Sequence, residues 1–431
     1  LGSSTIREWT LTNTGEMDAT AIAGDVFALA PEYAFAGGTF PGGGTCVNGG
    51  TLAAAGTCTF RVEFVPAGVP GARNDNVDVN YNDGVAATDV TQAITGTAAN
   101  PANLVVISGE LDPYDFGTVA VGATRVHSSF VVQNQGGVDA TGVAVSISGG
   151  PYTVNATTCG ATIAAGATCT VDVDFTPVGS GAIVGDNLVI DYSDATGASQ
   201  MLHGLQGTGA LPAQLVFDDT PSYDFGIQPN SSSTARLFWV ENIGEVNAIG
   251  LAESFTTGTH FKFTGAGGYP GTLGTCADPI VPGVGGRCQI EIEFIPQSTG
   301  AHTDNVILSF NNGVGATSNQ LQIDGTGAPP ALITIAPGGT FDFGSIARGG
   351  RAVQIFTLTN LVGAVDATNI TGAVATPEFA FTGGGVFPGT NGTCVINGTL
   401  IGGASCDVEV EFVPLANGGY MDNITITYDD G

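Results

Sequence analysis

The sequence has very little positive charge. Arg and Lys together number 9 against 39 Asp and Glu, so the formal net charge is −30. Lys262 is the single lysine. A surface with this charge repels nucleic acid phosphates and anionic lipid headgroups. Neither is therefore an expected partner.

Long apolar runs and helical periodicity are also missing. No stretch reaches the roughly 18 consecutive apolar residues of a transmembrane helix, and no segment sustains a helical spacing of apolar residues. The chain is instead rich in turn residues, with 67 glycines and 21 prolines. Its hydrophobic fraction of 43% is too high for a disordered chain. This mixture favours many short strands.

One nine-residue segment occurs four times in slightly different forms. It reads CTFRVEFVP, CTVDVDFTP, CQIEIEFIP and CDVEVEFVP, and its phenylalanines are Phe64, Phe175, Phe294 and Phe412. An aromatic-led segment ends in Asn13, Asn134, Asn242 and Asn360, and Asp-Asn pairs occupy 75–76, 186–187, 304–305 and 422–423. An FG step recurs at Phe116, Phe225 and Phe343. These landmarks predict four repeats, at residues 1–99, 100–210, 211–328 and 329–431.

Alternation of apolar and polar residues indicates the strands. In the first copy of the nine-residue segment, Cys58, Phe60, Val62 and Phe64 are predicted to face the core, and Thr59, Arg61, Glu63 and Val65 to face outwards. After the Asp-Asn pairs the predicted core residues are Leu188, Ile190, Tyr192, Val306, Leu308, Phe310, Ile424, Ile426 and Tyr428. The turns YNDG, FNNG and YDDG favour antiparallel hairpins. We predict an all-β fold of four tandem immunoglobulin-like β-sandwich domains, arranged as an elongated rod.

The outer repeats are expected to be short of one strand each. Repeat 1 lacks the strand that the FG step opens in repeat 2, and repeat 4 stops before the strand that ends in GTG elsewhere. A sandwich without a strand exposes apolar surface and unpaired backbone. We expect further repeats of the same polypeptide, or copies of the chain joined head to tail by strand donation, to supply the cover.

The eight cysteines divide into two per repeat. The predicted disulfides are Cys46–Cys58, Cys159–Cys169, Cys276–Cys288 and Cys394–Cys406. Each closes a loop of about a dozen residues, which stabilises a domain by roughly 3 kcal/mol in the chain-entropy view. Two cysteines per domain without a repeated histidine do not complete a zinc site. The pattern therefore indicates an oxidising compartment, either the periplasm or the cell exterior.

The FG step, the TNxG turn, the FxP ending and the terminal GTG at Gly207–Gly209 and Gly325–Gly327 together resemble the bacterial choice-of-anchor D repeats. Those repeats are similar in turn to ASH/Hydin-like immunoglobulin domains of the major-sperm-protein type. The resemblance covers all four copies. It implies a secreted or surface-attached protein of a Gram-negative bacterium, often built as a long tandem array.

Catalytic constellations are not expected. Paired carboxylates on one strand face resemble a glycosidase acid and base, but their recurrence indicates a solvated face; they are Asp172/Asp174, Glu291/Glu293 and Glu409/Glu411. The four histidines, His127, His203, His260 and His302, share no repeat position. The glycine-rich stretches have no lysine or helix start for phosphate binding. We predict no enzyme and no resident cofactor.

Calcium and N-glycans remain open alternatives. Asp218, Asp219 and Asp224 could offer hard oxygen ligands to calcium near a domain seam, but solvated loop acids are the favoured interpretation because no EF-hand spacing is present. The Asn-X-Ser/Thr sequons permit N-glycans; they lie at Asn155, Asn230, Asn369, Asn391, Asn397 and Asn423.

The leading functional prediction is a non-enzymatic extracellular structural protein, a tandem-repeat stalk or a subunit of a surface fibre or filament. The alternative is an adhesin that binds glycans or another cell through its Gly/Phe-rich loops, at residues 35–44 and 381–389. Negative-stain images and a glycan array would separate these functions.

The linkers generate the first testable prediction. The copies are joined by GTAANPANLVVI, GTGALPAQLVF and GTGAPPALITI, in which proline restricts the backbone and an apolar run enters the next sandwich at once. We expect neighbouring domains to keep preferred angles in solution. Small-angle X-ray scattering of the chain checks this, and a profile that fits a freely jointed chain would contradict it.

Overall fold

The structure is a computed structural model that describes residues 1–25, 27, 31–127, 129–219 and 221–431, without the side chains of residues 284 and 285. The described residues form strands, turns and two short 3-10 segments, Ala36–Gly38 and Gly283–Gly286. Within these ranges no helix is long and apolar enough to cross a membrane. The all-β prediction is confirmed.

Two compact units divide the chain, residues Leu1–Ala210 and Leu211–Gly431. Each unit contains two β-sandwiches, and each sandwich has its own cluster of buried apolar side chains. The fold of tandem immunoglobulin-like sandwiches is thereby confirmed. The residue bounds predicted for the individual repeats stay predictions.

Sandwich 1 packs the sheet β1-β5-β3 against the sheet β4-β2-β6-β7. Its strands are β1 (Thr5–Thr12), β2 (Ala19–Gly24), β3 (Tyr33–Phe35), β4 (Gly50–Leu52), β5 (Thr57–Phe64), β6 (Gly71–Asn82) and β7 (Ala87–Ala98). The YNDG turn joins β6 to β7 as an antiparallel hairpin, because Gly84 has a φ of 94° and the Asn82 side chain accepts its N–H.

Sandwich 2 packs β10-β15-β11-β8, with β13 also on β15, against β14-β12-β16-β17-β9. Its strands are β8 (Leu104–Val106), β9 (Tyr114–Ala120), β10 (Arg125–Val126), β11 (Phe130–Asn134), β12 (Ala140–Ile147), β13 (Tyr152–Thr157), β14 (Thr162–Ile163), β15 (Thr168–Phe175), β16 (Gly181–Ser193) and β17 (Ala198–Ala210). The β9 strand pairs with β17 in parallel, whereas the turn residues predict antiparallel pairing alone.

Sandwich 3 packs β18-β20-β23-β22 against β19-β25-β24-β21. Its strands are β18 (Leu215–Phe217), β19 (Ser222–Pro229), β20 (Thr234–Asn242), β21 (Ile249–Phe255), β22 (Phe261–Phe263), β23 (Arg287–Phe294), β24 (Gly300–Asn311) and β25 (Ala316–Ala328). The β19 and β25 strands again pair in parallel.

Sandwich 4 packs β26-β27-β31-β29 against β30-β28-β32. Its strands are β26 (Ile333–Ala336), β27 (Ala352–Asn360), β28 (Ala367–Ala373), β29 (Phe379–Phe381), β30 (Gly398–Leu400), β31 (Ser405–Phe412) and β32 (Thr425–Asp429). Phe343 and Gly344 lie outside any strand, so a strand at this FG step is wrong for this sandwich. In sandwiches 2 and 3 the strand at the FG step, β9 or β19, pairs in parallel with the last strand of its sandwich, β17 or β25. The structure describes no strand after β32, so the FG step of sandwich 4 lacks this partner.

The nine-residue segment forms the central strand of one sheet in every sandwich, as β5, β15, β23 and β31. Val171, Val173 and Phe175 are fully buried, whereas Phe64 is half-buried. The core positions after the Asp-Asn pairs are buried in sandwiches 2 and 3. In sandwich 4 the corresponding Ile424, Ile426 and Tyr428 are half-buried because β32 lies at a sheet edge.

Close packing explains why the GTG motif accompanies the FxP motif. A Cβ on Gly207 would lie 2.7 Å from the ring of Phe175, and a Cβ on Gly325 would lie 2.6 Å from the ring of Phe294. The second glycine faces backbone, because a Cβ on Gly327 would lie 2.1 Å from the Ser298 carbonyl oxygen. Because the first glycine of GTG has no side chain, the motif phenylalanine can occupy the core. Because the second has none, the strand can lie close to the neighbouring backbone.

The second prediction tests this packing. We expect Gly325→Ala to destabilise sandwich 3 by about 1–3 kcal/mol, because the added methyl group overlaps the Phe294 ring. Gly315→Ala is the matched control, because its Cβ meets open space, and it should change the stability by no more than about 0.5 kcal/mol.

The two tryptophans allow this measurement within the whole chain. Trp239 lies in sandwich 3 and Trp9 in sandwich 1, so Trp9→Phe leaves a single reporter of sandwich 3. Urea unfolding followed by Trp239 fluorescence then gives the stability of that sandwich. Equal midpoints for the two glycine variants would contradict the packing argument.

Candidate functional site: the clasp between linker and disulfide loop

The structure pairs the cysteines within repeats, as the sequence predicts. The Cα–Cα distances are 4.8 Å for Cys46–Cys58, 4.9 Å for Cys159–Cys169, 4.8 Å for Cys276–Cys288 and 4.9 Å for Cys394–Cys406. Each bond ties the loop that precedes the central strand to that strand. The result is a short closed loop at one end of each sandwich.

A buried asparagine joins this closed loop to the rest of the sandwich. Asn134, Asn242 and Asn360 end the strands β11, β20 and β27, and their exposure is 0%. In sandwich 3 the side-chain amide of Asn242 donates to the carbonyl oxygens of Val246 (2.9 Å) and Ile280 (3.0 Å). Ile280 lies between Cys276 and Cys288, so the asparagine holds the disulfide loop directly.

The same asparagine also holds the linker. The side-chain oxygen of Asn242 accepts the N–H of Gln214 and of Gly244, each at 3.1 Å. Gln214 follows Pro212 in the linker that enters sandwich 3. With two bonds donated and two accepted, the hydrogen-bonding capacity of the amide is filled. We name this arrangement of asparagine, linker and disulfide loop the clasp.

Glycine completes the clasp because the linker approaches the turn very closely. A Cβ on Gly244 would lie 2.2 Å from the carbonyl oxygen of Pro212, and a Cβ on Gly136 would lie 2.2 Å from that of Pro101. Beside these glycines, the N–H of Ile243 donates to the Gln214 carbonyl oxygen at 2.9 Å. The turn that follows the asparagine, QNQG in sandwich 2 and ENIG in sandwich 3, is thus a seat for the linker.

Sandwiches 2 and 4 repeat the clasp. Asn134 donates to Val138 and Ile163 and accepts from Gly136 and Asn103. Asn360 donates to Val365 and Leu400 and accepts from Leu332. In sandwich 1, Asn13 donates to Met17 and Leu52, and its oxygen accepts from Gly15, but it is half-buried.

Two of the outward carboxylates are buried, so a solvated face is wrong for them. Glu291 is 8% exposed and Glu409 is 6% exposed. Glu291 accepts the hydroxyl of Thr264 and the N–H of Leu273. The loop that follows β22 folds back over the strand face, and Glu291 donates its own N–H to Pro270 at 2.7 Å. Alternation alone does not show such a covering loop.

In sandwich 4, Glu409 likewise accepts hydrogen bonds from a loop that folds over the strand face. It accepts from the Thr382 hydroxyl and from the side chain and the backbone of Asn391. The Asn391 side chain, followed by the Thr382 hydroxyl, holds the pKa of Glu409 below its ordinary value. The other four carboxylates of these pairs, Asp172, Asp174, Glu293 and Glu411, are half-buried.

The aspartates of the last two Asp-Asn pairs, Asp304 and Asp422, each anchor a loop. Asp304 is 2% exposed and accepts the N–H groups of Thr257, Gly258 and Asn305 and the hydroxyl of Thr257. Burial acts to raise the pKa of Asp304, but these donors outweigh it and hold the pKa below the ordinary value. Asp422 accepts from Ala375, Thr376 and Asn423 in the same way.

The phenylalanines of the Gly/Phe-rich loops belong to the core. Phe35, Phe40, Phe381 and Phe387 are 1–7% exposed. Phe35 and Phe40 meet edge to face with ring centroids 5.3 Å apart, and Phe381 and Phe387 do so at 5.4 Å. Ligand contact through these rings is therefore wrong. They close the sandwich, while glycines and Val386 form the outer surface of the loops.

The calcium alternative lacks a converging set of ligands. Asp218 forms an ion pair with Arg287, and Asp219 forms one with Arg236. Asp224 accepts the N–H of Gly226. Over the part of the chain that the structure describes, no group of three or more His, Cys, Asp or Glu side chains could hold a metal ion.

The sequons are mostly accessible. Five of the six asparagines are exposed, at Asn155, Asn369, Asn391, Asn397 and Asn423, and Asn230 is half-buried. Asn391 differs from the others because its amide donates to Glu409. A glycan on Asn391 would replace one of the two hydrogens on the nitrogen that makes this bond.

The histidines lie in two pairs that the sequence does not reveal. In sandwich 2, His127 stacks on Phe130, and His203 meets the edge of the same ring. In sandwich 3, His260 and His302 stack with centroids 3.7 Å apart. The ring contacts of all four histidines are with aromatic side chains, including each other.

Comparison with known proteins supports the fold of sandwich 2. Residues 107–208 match the family described as HYDIN/CFA65/VesB-like, Ig-like domain. This match covers about a quarter of the chain and supports the immunoglobulin-like part of the sequence resemblance. The narrower assignment to choice-of-anchor D repeats stays a prediction. Among curated proteins, none matches the sequence.

Solved structures with similar chains include domains of titin and of a protocadherin. Titin domains I67–I69 share 9% identity with a TM-score of 0.28, covering 76% of this chain and 98% of that one. Protocadherin gamma B7 cadherin domains 1–4 share 8% with a TM-score of 0.33, covering 96% and 92%. A protein of unknown function from Porphyromonas gingivalis W83 shares 12% with a TM-score of 0.21, covering 52% and 99%. These scores are too low to support any argument about function.

The third prediction concerns the clasp. We expect Asn242→Ala to destabilise sandwich 3 by about 3 kcal/mol, because it leaves the carbonyl oxygens of Val246 and Ile280 and two N–H groups without their partner. Asn13→Ala in sandwich 1 is the comparison and should cost about 1 kcal/mol, because Asn13 is half-buried.

Urea unfolding measures both variants in the whole chain. Trp239 reports on Asn242→Ala and Trp9 on Asn13→Ala, each with the other tryptophan replaced by phenylalanine. A similar loss of unfolding free energy in Asn242→Ala and Asn13→Ala would contradict the role of the bond between asparagine and linker.

Proposed function

We propose that the chain is a non-enzymatic structural element of a cell exterior, a tandem-repeat stalk or a subunit of a surface fibre. The observation that carries this proposal is the clasp. In sandwiches 2, 3 and 4 the linker that enters the sandwich is bonded to a fully buried side chain. A linker held in this way has little slack, which is what a stalk requires.

The disulfides support a location outside the cytosol. All eight cysteines are paired, two in each sandwich. Such bonds form and persist in oxidising compartments. A Gram-negative source with surface attachment is part of the proposal and depends on the resemblance of the sequence motifs.

The distribution of the carboxylates fits a structural role better than a catalytic one. Glu291, Glu409, Asp304 and Asp422 accept hydrogen bonds from nearby loops and so fix those loops. A catalytic pair needs two carboxyl groups in different environments facing one space. Here Glu291 and Glu409 share one environment and one structural task in successive sandwiches.

We also propose how further repeats or copies of the chain would join head to tail. Sandwich 1 carries the clasp residues Asn13 and Gly15 beside a cleft of about 440 Å³, lined in part by Leu11, Met17 and Tyr81. The chain shows three segments that such a seat accepts, Pro101–Leu104, Pro212–Leu215 and Pro330–Ile333, all with Pro-Ala followed by an apolar residue two positions on. A segment of this kind from the same or another polypeptide is the partner that fits.

The adhesin alternative now depends on a small part of the loops. In the loop 381–389, Val386 is 64% exposed, whereas the loop 35–44 offers no exposed large apolar side chain. The loop of sandwich 3 at the same place in the fold adds Leu273, which is 63% exposed. A glycan or a cell-surface protein could reach these two side chains.

The fourth prediction separates the two functions. For a structural element, negative-stain images of the purified chain should show domains in linear succession, and a glycan array should show no saturable binding. The matched variant Val386→Ser/Leu273→Ser should behave in the same way. Saturable glycan binding that this variant abolishes would establish the adhesin and overturn the proposal.

A further inference from the structure

Two of the histidines accept a backbone hydrogen bond with the nitrogen that would take up a proton. In sandwich 2 the Nδ1 of His127 accepts the N–H of Ser129 at 3.0 Å. In sandwich 3 the Nδ1 of His260 accepts the N–H of Gln297 at 3.1 Å. These bonds assign each ring as neutral, with its proton on Nε2. Protonation of Nδ1 would place two N–H groups against each other and break the backbone bond.

The surroundings of His127 oppose a charge further. The side chain is 5% exposed and lies between Phe130, at a centroid distance of 4.1 Å, and Tyr114, at 4.3 Å. Glu110 is 3.5 Å from its Nε2, and Asp172 on β15 and His203 on β17 also face it. Burial, the largest effect, lowers the pKa of His127 below 6.5, the two carboxylates oppose that shift, and His203 adds to it.

Sandwich 2 also contains polar atoms that the neutral pair leaves unused. The Nε2 of His203 and the Oε2 of Glu110 are buried without a hydrogen-bond partner. No set of three metal-ligating side chains forms around them within the described residues.

In sandwich 3 a second histidine opposes the charge on the first. His302 stacks on His260, and its Nε2 donates to the Ser298 carbonyl oxygen at 2.8 Å, which leaves its Nδ1 open to a proton. A charged His302 would lie against the face of His260. Burial first, and His302 second, lower the pKa of His260, while Asp304 acts to raise it. His302 and Asp304 both belong to β24.

We propose that His127 and His260, each with its partner histidine, form an acid-sensitive device that loosens sandwiches 2 and 3 and leaves sandwiches 1 and 4 unchanged. A histidine that resists protonation when folded contributes stability that is fully present above the pKa of the unfolded chain, and this stability is lost as the pH falls from that value to the lower pKa of the folded chain. The opening constant then rises by at most about tenfold per pH unit for each histidine. Sandwiches 1 and 4 contain no histidine.

The fifth prediction tests this device on the intact chain. Hydrogen–deuterium exchange at pH 7.5 and pH 5.5, corrected for intrinsic exchange rates, should show lower protection in sandwiches 2 and 3 at pH 5.5. Protection in sandwiches 1 and 4 should stay the same. This window lies above the titration of Asp304 and Glu409, because their pKa values are held below 3.8 and 4.5.

Asparagine variants supply the matched controls. In His127→Asn and His260→Asn the amide oxygen can accept in place of Nδ1 and does not titrate. Each variant should abolish the pH dependence of its own sandwich and preserve that of the other. Equal pH dependence in all four sandwiches, or unchanged dependence in the variants, would overturn the proposal.

An NMR titration of the wild-type histidine Cε1–H signals keeps the proposal testable should a variant fail to fold. Signals of His127 and His260 that titrate below pH 6.5 support the device. Titration at or above 6.5 would overturn it.

Discussion

The end of each sandwich from 2 to 4 is organised by one buried asparagine. Its amide is the side chain that fits, because two donors and one oxygen with two lone pairs meet two carbonyl oxygens and two N–H groups. Aspartate could not donate. Three features depend on this one group: the closed disulfide loop, the turn that follows the asparagine and the entry of the linker.

Much of the fold could be predicted from the sequence because four copies reinforce each other. Alternation placed Val171, Val173 and Phe175 in the core, and one cysteine pair per copy indicated the disulfides. The role of the asparagine was not predicted, although its recurrence at 13, 134, 242 and 360 was visible. A buried polar residue at a strand end has no periodic signal, since its partners are carbonyl oxygens distant in the chain.

Other features could not be predicted from the sequence for the same physical reason: they depend on contacts between segments that are distant in the chain. Glu291 and Glu409 occupy outward positions on their strands, yet a loop folds back and buries them. The parallel pairs of β9 with β17 and β19 with β25 join the two ends of a repeat. The histidine pairs unite residues 76 and 42 positions apart, which no local pattern connects.

The central claim is that the linker is part of the folded sandwich and not a flexible tether. The amides of Asn103, Gln214 and Leu332 test it most directly, because each donates to the buried asparagine of its sandwich. Residue-resolved hydrogen exchange by NMR should find these amides as protected as the core amides of the central strand. Exchange at the rate of an exposed loop would contradict the account.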